Sequence, residues 1–353
     1  MSLIPPPYWW PEPGEPLGFG NTLKKWMLTP ASLAYGRTVA TRMKQQGELP
    51  LIPVVCVGNF VAGGAGKTPT SLALFDTLSD LGLRPAFVTR GYGGSLATTS
   101  FRVDYERHTA EEVGDEPLLL ARKGPTFVGP DRGTSINSAA EMGASVAIFD
   151  DGLQNPTIAK NLSIAVVDGR MGVGNGLCHP AGPLRAPVRD QLSHVDLVII
   201  IGNGKSAHGV VRQAAKRGVP VLSATLEMDI PEDLHQAPIY AFSGIGHPQK
   251  FFERLKGAGL TLAKEKAYPD HHFFNLEDAR TLVGVAKERG ATLVTTEKDG
   301  VRFRDQSGAL GELNAATTQI PARLVFEDPS YLRSIMRNAI SKWRRELALV
   351  EFD

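Results

Sequence analysis

Short unbroken apolar runs organise most of this chain. They recur at Ile52–Val57, Pro85–Thr89, Pro125–Val128, Ser145–Phe149, Leu162–Val167 and Leu197–Ile201, with helical segments between several of them, such as Pro69–Leu81 closing at Gly82. Continuous apolar strands of this kind belong to a parallel sheet covered on both faces. A further α/β series follows, with strands expected at Ile239–Phe242, Thr261–Ala267, Thr292–Thr295 and Ala322–Phe326. Helices are expected there at Pro248–Gly257, Leu276–Arg289 and Pro329–Glu346. The polar, acidic stretch Glu227–Ala237, interrupted by Pro231, marks the boundary between the two series.

The first twenty residues follow neither pattern. Pro5, Pro6, Pro7, Pro11, Pro13 and Pro16 rule out one regular helix there. Thr29 and Pro30 then read as N-cap and first turn of a helix running towards Gln46. Leu33, Val39, Ala40 and Met43 give it an apolar stripe, and Arg37, Arg42 and Lys44 give it basic edges. The pattern divides the chain into 1–48, 49–230 and 231–353.

Composition narrows the function classes. The 353 residues suit two domains or one large one. A net charge of +1 supplies no basic excess to displace counterions, so no nucleic-acid partner is expected. Cys56 and Cys178 lie in no metal-ligand or redox spacing and read as reduced thiols of a cytosolic protein. No apolar run reaches the ~18 residues of a membrane span, and no secretory signal is evident.

The strongest local chemistry follows the first strand. Val54–Val57 enters Gly58-Asn59-Phe60-Val61-Ala62-Gly63-Gly64-Ala65-Gly66-Lys67-Thr68 and opens a helix. Glycines let backbone N–H groups curl around phosphate oxygens at a helix N-terminus. Gly63, Gly64, Ala65 and Gly66 would cradle the nucleotide, Lys67 would reach the β/γ-phosphates, and Thr68 would hold Mg²⁺. Val61 stands where the P-loop pattern has its first glycine. Asp150 and Asp151 end another strand, where carboxylates suit Mg²⁺ or its waters, although Asp-Gly is also a common turn. Asp115, in Gly114-Asp115-Glu116-Pro117, is either a helix-terminal acid or a base for an attacking hydroxyl. Tyr268-Pro269-Asp270-His271-His272 and Thr296-Glu297-Lys298-Asp299 also follow strands, where ligand contacts and helix caps are equally open. The long Gly/Pro loop from Gly169 to Pro187 has the length of a functional loop.

Taken in order, these segments resemble the tetraacyldisaccharide 4′-kinase family of lipid A biosynthesis. Pro7–Trp10, the Gly58–Thr68 loop, Thr89-Arg90-Gly91-Tyr92-Gly93, Gly114–Pro117, Asp150–Gln154, Pro180–Arg185, Pro269–His272 and Thr296–Asp299 carry the resemblance. It implies a P-loop NTPase-type parallel sheet domain, a smaller α/β domain closing the active cleft, and an N-terminal membrane-facing helical segment. It implies transfer of the γ-phosphate of ATP to the 4′-hydroxyl of tetraacyldisaccharide 1-phosphate, giving lipid IVA. The enzyme would sit peripherally on the cytoplasmic face of the bacterial inner membrane, with an acylated disaccharide 1-phosphate lipid as its partner. By the family pattern Asp115 is the base, His271 its partner and Lys67 a catalytic phosphate contact. Thr68, Glu116, Asp150 and Asp151 would serve metal and phosphate. Asn155 and Ala186 depart from the family pattern, so no ligand role carries over to them. Trp9, Trp10 and Trp26, with Lys24, Lys25, Arg37 and Arg42, suit a platform in the headgroup layer, or else simple packing on the domain. The rival classes are a P-loop GTPase or ATPase switch or metallochaperone, and a membrane scaffold with a degenerate nucleotide site. Lys298 is misplaced for the Asn/Thr-Lys-x-Asp of a guanine site.

Overall fold

A computed structural model describes residues 6–11, 16–304 and 307–350. Pro5 and Pro13 lie outside the described residues. Nine strands form the larger sheet: β1 (Val54–Asn59), β2 (Pro85–Thr89), β3 (Phe101–Arg102), β4 (Thr126–Val128), β5 (Val146–Asp150), β6 (Leu162–Asp168), β7 (Leu197–Ile201), β8 (Val221–Met228) and β13 (Ala322–Phe326). Their order is β13-β8-β7-β6-β1-β5-β2-β4-β3. Only the two edge strands, β3 and β13, pair antiparallel. The central strands are covered on both faces, which is why they read as unbroken apolar runs. Val55 and Val57 pack with Leu74, Leu78 and Leu120 on one face. Val54 and Cys56 pack with Ile136 and Ala139 on the other. Both cysteines are buried and unpaired by disulfide.

The second sheet is wholly parallel, in the order β10-β9-β11-β12. Its strands are β9 (Ile239–Ser243), β10 (Leu262–Ala267), β11 (Thr292–Thr296) and β12 (Thr317–Ile320). Tyr240 and Phe242 face the helix Leu276–Arg289, while Ile239 and Ala241 face the helix Pro248–Gly257.

Three sequence expectations change. Ala322–Phe326 forms a strand, but it pairs with β8 of the larger sheet and not with the second series. The helix Pro329–Val350 follows it back, burying Leu332, Met336 and Ile340 in the larger core. The chain thus leaves the second sheet at Ile320 and returns to the first. Strand β8 itself has no apolar run. Leu222 and Ala224 are buried while Ser223, Thr225 and Glu227 are not, the alternation of a strand covered on one face only.

The N-terminal helix is the third. It spans Phe19–Met43 with Gly18 as its N-cap, eleven residues before the Thr29 cap expected, and with Pro30 inside it. Pro30 removes one N–H, yet the helix continues because its C-terminal half is anchored. Ser32, Gly36, Ala40 and Met43 are its buried face. Ser32 donates to the carbonyl of Cys178 at 2.7 Å. A Cβ on Gly36 would come within 2.7 Å of Cys178 Sγ, so only glycine allows this approach. Leu33, expected in the buried stripe, is exposed instead. Trp9 donates to the carbonyl of Pro180 at 3.0 Å, and Trp10 packs against the core beneath β6 and β7.

Candidate active site

Parallel strands deliver their C-terminal ends to one edge, and this decides where the chemistry collects. Register pairs Val57 with Asp150 and Asn59 with Val166, so the glycine loop and the acidic pair leave the larger sheet side by side. The second sheet presents Gly244, Tyr268–His272 and Thr296–Arg302 after its own strand ends. The two edges meet through ion pairs between the sheets.

The glycine loop has left-handed or positive-φ backbone at Gly63 (φ 110°) and Gly66 (φ 92°). Lys67 opens the following helix, Lys67–Asp80, and its Nζ lies 3.4 Å from the carbonyl of Gly63 and 3.8 Å from Asp151. Thr68 is buried one residue further on. Val61 is not in the phosphate turn. It forms an antiparallel bridge with Leu184, and the amide of Ala62 donates to the carbonyl of Pro183 at 2.7 Å. Extended, paired backbone accepts a β-branched residue, so glycine is not needed there. Gly66 is different. A Cβ would meet Ile201 Cδ1 at 2.5 Å. That methyl can turn aside, but the φ cannot relax cheaply. Gly66→Ala is therefore expected to cost about 1–2 kcal/mol, read as a lower melting temperature together with weaker ATP binding. Unchanged melting and ATP affinity would show that this turn tolerates a side chain.

Asp150 and Asp151 are neighbours with different surroundings. Asp150 is buried and accepts from Ser71 Oγ at 2.7 Å. Burial, then the negative charge of Glu116, push its carboxyl up to about 7. Asp151 has φ 54°, unusual for a residue with a side chain. Arg185 holds both its oxygens, at 2.7 and 3.0 Å. Desolvation opposes ionisation of Asp151, but Lys67 and Arg185 outweigh it and hold the carboxyl below its ordinary value. Arg185 comes from the Gly/Pro loop, which thereby contributes a side chain to the site.

Asp115 is the first residue of the helix Asp115–Lys123. The N-cap is Gly114, and no side chain caps this helix. Instead Asp115 Oδ2 faces the second sheet. It lies 2.9 Å from His271 Nδ1 and accepts from Arg302 Nη2 at 2.6 Å and Nε at 3.1 Å. Burial alone would raise this carboxyl. Lys298, the hydrogen bond from His271 and Arg302 outweigh burial and hold it well below the usual carboxylate range. Glu116 pairs with Lys298 at 3.0 Å, and that ammonium keeps it ionised. Burial disfavours the charge on Lys298, but Glu116 and Asp115 overcome it and raise its pKa.

The two histidines separate. His271 meets Asp115 from a left-handed backbone position (φ 59°), whereas His272 pairs with Asp278 at 2.8 Å and stacks on Tyr268. The second acidic motif also divides. Thr296 caps the short helix Glu297–Gly300, and Lys298 reaches across to Glu116. Asn155 accepts from Thr157 in a local turn, and Ala186 is buried with its carbonyl held by Gln191. Arg302, Ser71 and Arg185 had no assigned role in the sequence. Arg185 stands inside a quoted motif, but Arg302, between Val301 and Phe303, and Ser71, directly after Thr70, carry no local signal.

Comparison with known proteins follows the same lines. The tetraacyldisaccharide-1-P 4′-kinase family model matches residues 24–341. A tetraacyldisaccharide 4′-kinase of Methylorubrum extorquens is 45% identical over 96% of this chain and 100% of its own length. One from Methylobacterium nodulans is 46% identical, covering 92% of each chain. The crystal structure of LpxK from Aquifex aeolicus, in complex with ATP, superposes with a TM-score of 0.69 at 23% identity, over 90% of this chain and 99% of that one, and so shares the fold. A match over most of the chain, and relatives this similar along nearly their whole length, establish that the chain belongs to the tetraacyldisaccharide-1-P 4′-kinase family, kinases of lipid A biosynthesis.

Proposed function

We propose that this chain transfers the γ-phosphate of ATP to the 4′-hydroxyl of tetraacyldisaccharide 1-phosphate, giving lipid IVA. The observation that carries the reading is the contact between Asp115 and His271, 156 residues apart in sequence and 2.9 Å apart in space, at the edge that also holds the glycine loop. An ionised carboxylate held by a histidine is suited to accept the proton of an attacking hydroxyl. Lys67 supplies positive charge where phosphate charge moves. Incubation with ATP, Mg²⁺ and the disaccharide 1-phosphate, followed by mass spectrometry, tests the reading. A product without a second phosphate would sink it. Family membership leaves the GTPase switch, metallochaperone and scaffold readings without support.

Mg²⁺ fits this donor set. Among the described residues no group of three or more His, Cys, Asp or Glu side chains forms a ready cage. Mg²⁺ does not require one, since it usually takes one or two carboxylates and completes its shell with phosphate and water. Asp150, raised by burial and by Glu116, is the carboxylate whose ionisation a cation would favour most. We assign Thr68 and Asp150 to the ion, with Glu116 and Asp151 shaping the field around it. Bound there, the ion would neutralise phosphate charge.

Membrane attachment is part of the same proposal. Among the described residues no helix is long and apolar enough to cross a membrane. Phe19, Leu23, Trp26, Met27 and Leu33 are all exposed, and helical spacing puts them on one stripe. That stripe lies roughly 120° around the helix from the buried face at Ser32, Gly36, Ala40 and Met43. One face grips the protein and the other is left for a peripheral site in the headgroup layer of the cytoplasmic leaflet, with Lys24 beside it. Trp9 and Trp10 belong to the gripping side. Deleting residues 1–47 would therefore strip Met43 from the core as well. The sharper test is Trp26→Glu with Met27→Glu. These exposed changes are expected to lower liposome binding at least about tenfold and leave the melting temperature unchanged. Undiminished sedimentation with liposomes would remove the platform.

A further inference from the structure

We propose that Arg302 is a positioning residue for phosphoryl transfer, fixing the Asp115 carboxylate and the turn that carries His271 as one unit. The proposal rests on Asp115 being the base, and it assigns the proton-accepting atom to Asp115 Oδ1.

The Arg302 side chain is fully buried. A guanidinium taken out of water is costly unless its donors are used. Here four of its five N–H groups donate to two carboxylates and one carbonyl. Nε and Nη2 donate to Asp115 Oδ2, while Nη1 donates to Asp299 Oδ1 at 2.6 Å and to the carbonyl of Gly244 at 2.8 Å. The same carbonyl of Gly244 accepts from the His271 amide at 3.0 Å. Arg302 thus touches both halves of the pair, the carboxylate directly and the histidine through one shared acceptor. His271 holds φ 59°, a conformation that persists only when its neighbours over-determine it.

Asp299 makes the anchor rigid. It is fully buried and accepts from Ser243 Oγ, Thr296 Oγ1 and the Gly244 amide at 2.7, 2.7 and 2.9 Å. Gly244 leaves no slack. A Cβ there would lie 3.1 Å from the Pro269 carbonyl and 3.3 Å from Arg302 Nη1.

The donors on Asp115 are distributed unequally. His271 and both Arg302 nitrogens use Oδ2, and Lys298 stands 3.9 Å from the same atom. Among the described residues Oδ1 accepts only the amide of Glu116, at 2.9 Å. A carboxylate oxygen with one partner keeps a lone pair for the hydroxyl proton. Arg302 therefore fixes the carboxylate with its crowded oxygen, Oδ2, toward the second sheet and leaves Oδ1 as the oxygen with the fewer partners.

A plain interlobe strut would use the same contacts, so the test is a mutant cycle on kcat. Arg302→Met is expected to lower kcat about 10²-fold, the size of an ångström-scale misplacement, with KM for ATP within about twofold. Arg302→Lys should recover part of the loss, since an ammonium keeps the charge but not the fork. Added to Asp115→Asn, Arg302→Met should cost little more, because groups acting as a unit are non-additive. Wild-type kcat in Arg302→Met, or losses that simply multiply, would overturn the proposal and leave a strut. Near-normal kcat in Asp115→Asn alone would instead overturn the base assignment beneath it. If Arg302→Met does not fold, Asp299→Asn takes its place, with an expected loss of about tenfold and the same non-additivity; multiplied losses there would count equally against the proposal.

Discussion

Lys67→Ala is expected to lower kcat/KM for transfer by about 10²–10³-fold while the protein stays folded. The ammonium has little structural duty. Its partners are the Gly63 carbonyl at 3.4 Å and Asp151 at 3.8 Å, both long contacts. Asp151 keeps its two hydrogen bonds from Arg185 when Lys67 is removed. Little stability is therefore lost. Phosphoryl transfer, in contrast, depends on fixed positive charge at the moving phosphate, and no other cation stands in the glycine loop. Steady-state kinetics with a thermal melt separate the two effects. A variant with near-normal turnover would remove the P-loop assignment, and a variant that melts far below the parent would show a structural role that these contacts do not explain.

What was legible in the sequence depended on how local each signal is. The glycine loop is contiguous, so its strand, turn and helix can be read in fifteen residues. The central strands were legible because both faces are buried and the apolar run is unbroken. Strand β8 was not, since only every second residue faces the core. The sheet that 322–326 joins is a tertiary choice, made when Leu324 and Phe326 pack with Leu222 and Ala224, and no local pattern encodes it. The N-terminal helix misled for a related reason. Its outer face is apolar as well, so Leu33, which is exposed, reads as part of one stripe with Ala40 and Met43, which are buried. At the site, Asp115 and His271 came from family resemblance and not from spacing, which left Asp115 between a helix-terminal acid and a base. Arg302 gave no signal at all. A single basic residue between Val301 and Phe303 reads as a surface charge, and only the fold shows it buried between two carboxylates.

Asp115→Asn is expected to lower kcat by about 10²–10⁴-fold, the usual weight of a general base, with KM for ATP little changed. The amide matches the carboxylate in size but cannot take a proton. The loss should thus appear in the transition state and not in nucleotide binding. Melting temperature alone does not separate this from a structural role. Asp115 is buried against Arg302 and Lys298, so its neutralisation leaves buried cations less well paired. Asp299 still holds Arg302, which limits the stability loss to on the order of 1–3 kcal/mol. Both readings therefore predict a lower melting point, and the decision falls on turnover measured well below it, with ATP binding confirmed intact. His271→Ala should shift kcat in the same direction. It removes one of the donors on Oδ2 and leaves the Arg302 pair in place, so its effect should be the smaller. The double variant should fall short of the product of the two, because the histidine acts through the carboxylate. If folded Asp115→Asn turns over normally, the carboxylate is a strut between the two sheets. The base would then be sought at Asp150, which burial and Glu116 raise to about 7 and which lies beside the same glycine loop.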